Sequence, residues 1–215
     1  MKNLIYIILA VLVIGNMSCS NKDTKDPIYT PADTRLKDID GNVYDTIKVG
    51  SQVWMKSNLK TTRYNDGTSI PTGITAWLST STGAYAVYNN ENTNDVTFGK
   101  LYNWYAINTG KLAPKGWHVA TEAEWNILIN NLGGHYTACS VMLSAESANI
   151  FTVRLGGERY HDGNFFYLGT QACFWTSTES TAPNGRYLTL CNCGINIANC
   201  FASKQEGFSV RCIRN

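Results

Sequence analysis

The stretch CNCGINIANC, Cys191 to Cys200, gathers three of the chain's seven cysteines at positions 191, 193 and 200. Thiolates bind zinc or copper tightly, and strand spacing places Cys191 and Cys193 on one face, so a soft-metal site is one chemistry open to this segment. A structural zinc site asks for a second pair at matching spacing, and none follows. Disulfides or incidental thiols account for the segment better. Cys139, Cys173 and Cys212 complete the set after Cys19, and spacing alone does not choose a pairing. The three histidines, His118, His135 and His161, are far apart and show no helical metal spacing. Glu122 and Glu124 sit where a helix begins and serve its macrodipole better than acid–base catalysis. No Gly-x-Ser-x-Gly turn and no glycine-rich phosphate loop after a strand occurs. Asp38-x-Asp40-Gly41-Asn42 reads as a turn, because Val49 stands where a calcium loop needs its closing carboxylate. The expectation is a chain that is not an enzyme, with no metal and no cofactor.

The elements that would carry these residues can be read from periodicity. The strongest signal is Thr121-Glu122-Ala123-Glu124, a capping box, followed by Trp125, Leu128, Ile129 and Leu132 on one helical stripe. Gly133-Gly134 ends that helix. Val43 to Val49 alternates as a half-buried strand, Gly50-Ser51 turns, and Val53-Trp54-Met55 returns, which predicts a hairpin. Tyr64 to Phe98 is rich in Asn, Thr, Ser and Gly without a sustained period. It reads as a long surface excursion with short strands around Trp77 and Tyr85 to Tyr88. Leu101 to Ile107 reads as a short helix whose aromatics also suit a strand. Later, Phe151 to Leu155 alternates, Gly156-Gly157 breaks, Gly163-Asn164 turns, and Phe174-Trp175 opens a strand. Leu188 and Leu190 share one strand face, with Tyr187, Thr189 and Cys191 on the other. Phe208, Val210 and Cys212 share a face that buries Cys212. Segregated helices and hairpins give an α+β class with short antiparallel sheets, one strong amphipathic helix and long irregular loops. Of the six tryptophans, Trp54, Trp117, Trp125 and Trp175 are assigned to packing, and Trp77 is expected to be exposed.

Lys2 and the uninterrupted apolar run Leu4 to Ile14 read as the start of a signal peptide, too short to cross a bilayer core of about 30 Å as a helix. Asn16-Met17-Ser18-Cys19 resembles the processing site of bacterial lipoproteins, which makes Cys19 the expected lipid attachment point. The division that follows is residues 1–18 as leader, 19–35 as a polar flexible tether and 36–215 as one domain. The formal net charge is +2 with no Lys/Arg block, so no nucleic-acid partner is expected.

Five ordered strings identify the domain as similar to a known family: DIDGNVYDTIKVGSQVWMKSNL (38–59), GKLYNWYAI (99–107), APKGWHVATEAEW (113–125), FWTSTES (174–180) and GFSVRCIRN (207–215). They resemble the Fibrobacter succinogenes major paralogous domain, a family of exported proteins common in Bacteroidota. That resemblance implies a C-type lectin-like fold, closest to its formylglycine-generating-enzyme branch. No cysteine pair here has the four-residue separation of that enzyme's active site. Ala182-Pro183-Asn184 and Trp175-Thr176-Ser177 lack the carboxylates of calcium-dependent sugar binders. Some relatives with this fold are variable proteins of diversity-generating retroelements, and every residue from Cys191 to Cys200 is reachable by adenine mutagenesis of Asn codons. The resemblance therefore implies a hypervariable, non-catalytic binding segment, with Tyr187, Thr189, Asn192, Asn196 and Asn199 as ligand-binding candidates. The expected partners are a protein or glycan at the cell surface and, through the lipid anchor, the outer membrane. Two alternatives stay open: an enzyme with a thiol-bound metal at Cys191, Cys193 or Cys200, and a structural subunit of a surface assembly.

Overall fold

The computed structural model describes residues 30–31 and 35–215, apart from 145–150, 193 and 195. The leader, Cys19 and most of the tether lie outside the described residues. Among those described, the N-terminal part runs β1 (Thr30–Pro31), β2 (Leu36–Lys37), β3 (Val43–Tyr44), β4 (Thr46–Val49), β5 (Gln52–Met55) and β6 (Tyr85–Ala86). Next come α1 (Asn92–Phe98), β7 (Leu101–Tyr102), α2 (Trp104–Asn108), β8 (Trp117–Val119), α3 (Glu122–Asn131) and α4 (His135–Leu143). The late chain is all strand: β9 (Gly156–Arg159), β10 (Phe165–Leu168), β11 (Gln171–Thr181), β12 (Asn184–Cys191), β13 (Asn196–Ser203) and β14 (Cys212–Arg214). The class is α+β. One five-stranded sheet has the order β1-β4-β5-β14-β8, the other β10-β9-β11-β12-β13, and β2-β3 and β6-β7 form two-stranded ribbons. No helix among the described residues is long and apolar enough to cross a membrane.

The local rules explain most of the frame. β4 and β5 form the expected antiparallel hairpin, with Ile47 opposite Trp54. β1 pairs with β4, Thr30 opposite Lys48, so ordered pairing begins inside the stretch read as tether. In α3, Thr121 Oγ1 accepts from the Glu124 N–H at 3.2 Å while Glu124 Oε2 accepts from the Thr121 N–H at 2.8 Å. Trp125, Leu128, Ile129 and Leu132 are buried as the stripe requires, and positive φ angles at Gly133 and Gly134 stop the helix. At the centre of the larger core, Trp125 packs against Trp54 (4.9 Å between ring centroids), Phe174 (5.3 Å) and Phe151 (5.8 Å). The Asp38 carboxylate closes its turn by accepting from the Asp40 and Asn42 backbone N–H groups and from the Tyr44 hydroxyl.

Several expectations need correction. Trp77 is fully buried rather than exposed, because the Arg159 guanidinium stacks 3.9 Å from its ring. It also lies outside any strand, although Tyr85–Ala86 is one. Phe151 to Leu155 buries Phe151 and Val153 alternately as expected but forms no strand, since no neighbouring strand bonds to it. Gly156-Gly157 does not break the chain there; it opens β9. The excursion contains a helix, α1, and a further helix, α4, follows α3. Leu101 to Ile107 is both things its composition allowed: β7, then α2, whose N-cap Asn103 accepts from the Ala106 N–H at 3.1 Å.

Candidate ligand-binding face

The second sheet has two unlike faces. Ala172, Phe174, Leu188, Leu190 and Ile197 point into the core beneath α3 and α4. The other face packs Cys173 and Trp175 into a second core cluster with Phe208 and Val210 at its centre and opens toward its edge strands, and register lines up one row of it across all five strands. Phe166 pairs with Glu158; Gly157 beside Ala172 brings Glu158 next to Cys173; Cys173 pairs with Thr189, and Thr189 with Ala198. Trp175, Tyr187 and Cys200 form the next row to one side, and Gln171, Cys191 and Asn196 the next row to the other. Gly157 makes this possible: its φ is +66°, and a Cβ there would lie 2.4 Å from the Phe166 carbonyl oxygen.

The floor of the face is polar but buried. Glu158 is 5 % exposed, and the Cys173 thiol donates to its Oε2 at 3.1 Å. Gln171 Nε2 donates to the Cys173 sulfur at 3.0 Å. Burial, with the Glu158 charge added, holds the Cys173 thiol far above its usual range, so it is protonated and a poor nucleophile. Burial raises the Glu158 carboxyl, and the nearby Glu206 charge adds to the rise. Tyr187 is raised too, by burial first and then by Cys173, and its ring packs on Phe208 (4.6 Å) and Trp175 (6.0 Å). The Glu206 carboxylate accepts from the His161 backbone N–H at 3.0 Å and contacts His161 Nδ1 at 2.6 Å.

Glu158 gives a pH prediction. With its folded value above the ordinary 4.5, the native state keeps this proton to higher pH than the unfolded chain does. The associated stability is fully present below the unfolded value and lost as pH rises through the folded one. Glu158→Gln should therefore flatten the decline in urea midpoint from acid toward neutral pH, and an unchanged profile would assign that decline to other groups.

The rim is aromatic and open. Tyr160, Phe166 and Tyr167 are 37 %, 38 % and 49 % exposed, with ring centroids 4.7 Å (Tyr160–Phe166) and 6.0 Å (Phe166–Tyr167) apart. Tyr167 has φ +65°, a left-handed conformation that costs a side-chain-bearing residue about 1–2 kcal/mol. The turn it starts is closed by the Thr170 N–H donating to its carbonyl at 3.0 Å. Exposed, contiguous aromatic surface held in a strained turn is not something folding requires.

The five sequence candidates divide. Tyr187 and Thr189 are half-buried on this face, and Asn196 is exposed beside Cys191. Asn192 sits in the β12–β13 turn against the aromatic rim, its N–H donating to the Thr170 carbonyl. Asn199 pairs with Leu188 on the opposite face, where its Nδ2 donates to Asn126 Oδ1 of α3 at 3.1 Å. Sequence reading missed Glu158, Tyr160, Phe166 and Tyr167. The available signal was Phe165-Phe166-Tyr167, because three successive aromatics in a strand cannot all point inward.

Cys139, Cys173, Cys200 and Cys212 are free, Cys191 is disulfide-bonded, and Cys193 lies outside the described residues. A disulfide-bonded Cys191 is not a thiolate ligand, and among the described residues no group of His, Cys, Asp and Glu could hold a metal. His118 bonds Glu124 Oε1 through Nε2 (2.8 Å) and Asn215 Oδ1 through Nδ1 (2.7 Å), a structural link between α3 and the last residue. Compared with known families, residues 47–214 match the model of the Fibrobacter succinogenes major domain. Comparison with curated proteins and with solved structures finds no match.

Proposed function

From the premise that the chain belongs to the Fibrobacter succinogenes major domain family, we propose that it is a lipid-anchored surface protein that binds a ligand without catalysis. Its domain is read as C-type lectin-like, with Cys19 as the lipid attachment point and the outer membrane as its site. The observation that carries the binding reading is the rim of Tyr160, Phe166 and Tyr167 beside the Glu158–Cys173–Thr189 row. Aromatic rings supply contact area at low conformational cost, and the amides of Gln171, Asn192 and Asn196 supply adaptable hydrogen bonds. The buried, protonated Cys173 favours recognition over thiol chemistry. A protein or a glycan at the cell surface is the ligand class.

The β12–β13 turn and the edge strand β13 carry the segment read as diversified. Sequencing the gene's 3′ end across isolates tests that reading: variation confined to adenine-containing codons supports it, and an invariant segment removes it. The binding reading has its own test. The mature chain is screened against glycan and surface-protein arrays, and the best binder is titrated against Tyr160→Ala/Phe166→Ala. Both rings sit at the rim rather than in either core cluster, so the thermal transition should stay within a few degrees while affinity falls by about tenfold or more. Retained affinity would move the site elsewhere.

A further inference from the structure

On another part of the molecule, a cavity of about 390 Å³ is lined by Lys56, Ser57, Thr97, Thr152, Arg154 and Arg211. Its floor is a cation in the core. Arg211 is 1 % exposed; its Nε donates to Asn58 Oδ1 at 2.7 Å, Nη1 to the Met55 carbonyl at 3.1 Å and Nη2 to the Thr152 carbonyl at 2.8 Å. The guanidinium also lies over Phe151 (4.8 Å) and Phe174 (5.7 Å). All these partners are neutral, and three bonds leave N–H donors of the guanidinium unused. Burial disfavours the charged form, yet a guanidinium keeps its proton at physiological pH, so a positive charge stands in the core. Arg154, exposed, adds a second charge of the same sign to the cavity wall. Among the described residues no carboxylate lines it.

We propose that this cavity binds an oxyanion, a phosphate or sulfate group, either free or as the ester of a small molecule. Arg211, Arg154 and the hydroxyls of Ser57, Thr97 and Thr152 line the cavity with donors on several sides, which suits a tetrahedral group with three terminal oxygens better than a planar carboxylate. The volume falls in the range of small-ligand sites and leaves room for an organic portion. An anion here would offset the burial of the Arg211 guanidinium and face Arg154 across the cavity. This site is independent of the aromatic face, and neither proposal needs the other.

Calorimetric titration of the mature chain tests it with inorganic phosphate and glucose 6-phosphate, against sodium chloride of equal ionic strength. Saturable binding is expected for at least one phosphate and none for chloride. Equal affinities for the two phosphates assign the site to the free ion, and tighter glucose 6-phosphate assigns it to esters. Arg154→Glu, at an exposed position that leaves the fold intact, should weaken binding by about tenfold or more. No saturable binding of either phosphate, or an affinity unchanged by Arg154→Glu, overturns the proposal.

Discussion

Trp125→Ala is expected to destabilise the domain by about 3–5 kcal/mol, a large part of the roughly 5–15 kcal/mol that holds a domain together. The ring is fully buried and touches Trp54, Phe151 and Phe174, elements that come from the N-terminal hairpin, the loop after α4 and the second sheet. Removing it opens a cavity where three parts of the chain meet, and none of them can close it alone. Urea unfolding followed by tryptophan fluorescence and far-UV circular dichroism should show the midpoint collapse. Trp125 Nε1 is buried with no hydrogen-bond partner, whereas Trp54 Nε1 donates to Gln52 Oε1 at 3.2 Å. Trp125→Phe therefore removes a donor that gains nothing, and Trp54→Phe strands an acceptor. Trp125→Phe should be the milder of the two, and the reverse order would mean that Trp125 Nε1 is satisfied in solution.

Arg211→Met should cost about 2–4 kcal/mol. The substitution keeps an apolar stem of comparable length, so the loss is in hydrogen bonding. Asn58 Oδ1 and the Met55 and Thr152 carbonyls each lose a donor in a buried setting. Asn58 in turn donates to the Phe98 carbonyl and to Ser209 Oγ, so the loss spreads to the end of α1 and the approach to β14. Against that, Met spares the desolvation of a cation, which keeps the total below the sum of three broken bonds. Arg211→Lys should recover little, because a point-like ammonium cannot reach three acceptors arranged for a planar fork. Equilibrium urea unfolding of both variants decides it. A Met variant as stable as the parent would show that desolvation outweighs the bonds.

What the sequence disclosed was local. Thr121 and Glu124 lie three residues apart, so their reciprocal capping is written in the chain. Leu188 and Leu190 declare a buried face by alternation alone. What it hid depends on distant partners. Trp77 sits in a stretch with no sustained period, and what covers it comes from elsewhere: Arg159 from β9, Phe165 from β10, and Ala84 and Ala86. Phe151 and Val153 alternate like a strand, but a strand also needs a neighbour to bond with. In α1, Asn92-Thr93-Asn94-Asp95 has poor helix propensity and buries nothing, so periodicity had no stripe to detect. The candidate face was half legible: Tyr187 and Thr189 follow from strand alternation. Glu158 meets Cys173 only through the parallel pairing of β9 with β11, which no window of sequence contains. Asn199 was grouped with Tyr187 although register sets it on the other side.

The pairing of Ile213 with Trp54 and His118 in the first sheet has a consequence for how the chain is made. Strands β9 to β13 are nearly consecutive and can zip together as soon as residue 203 is free. The first sheet cannot: β5 and β8 are joined only by β14, at the far end of the sequence. A polypeptide emerging N-terminus first from a ribosome therefore carries the β5 edge unpaired until β14 is made. Long-range closure of this kind is slow, and an open strand edge invites pairing with a neighbouring nascent chain. The first sheet therefore closes only once β14 has arrived to bridge β5 and β8.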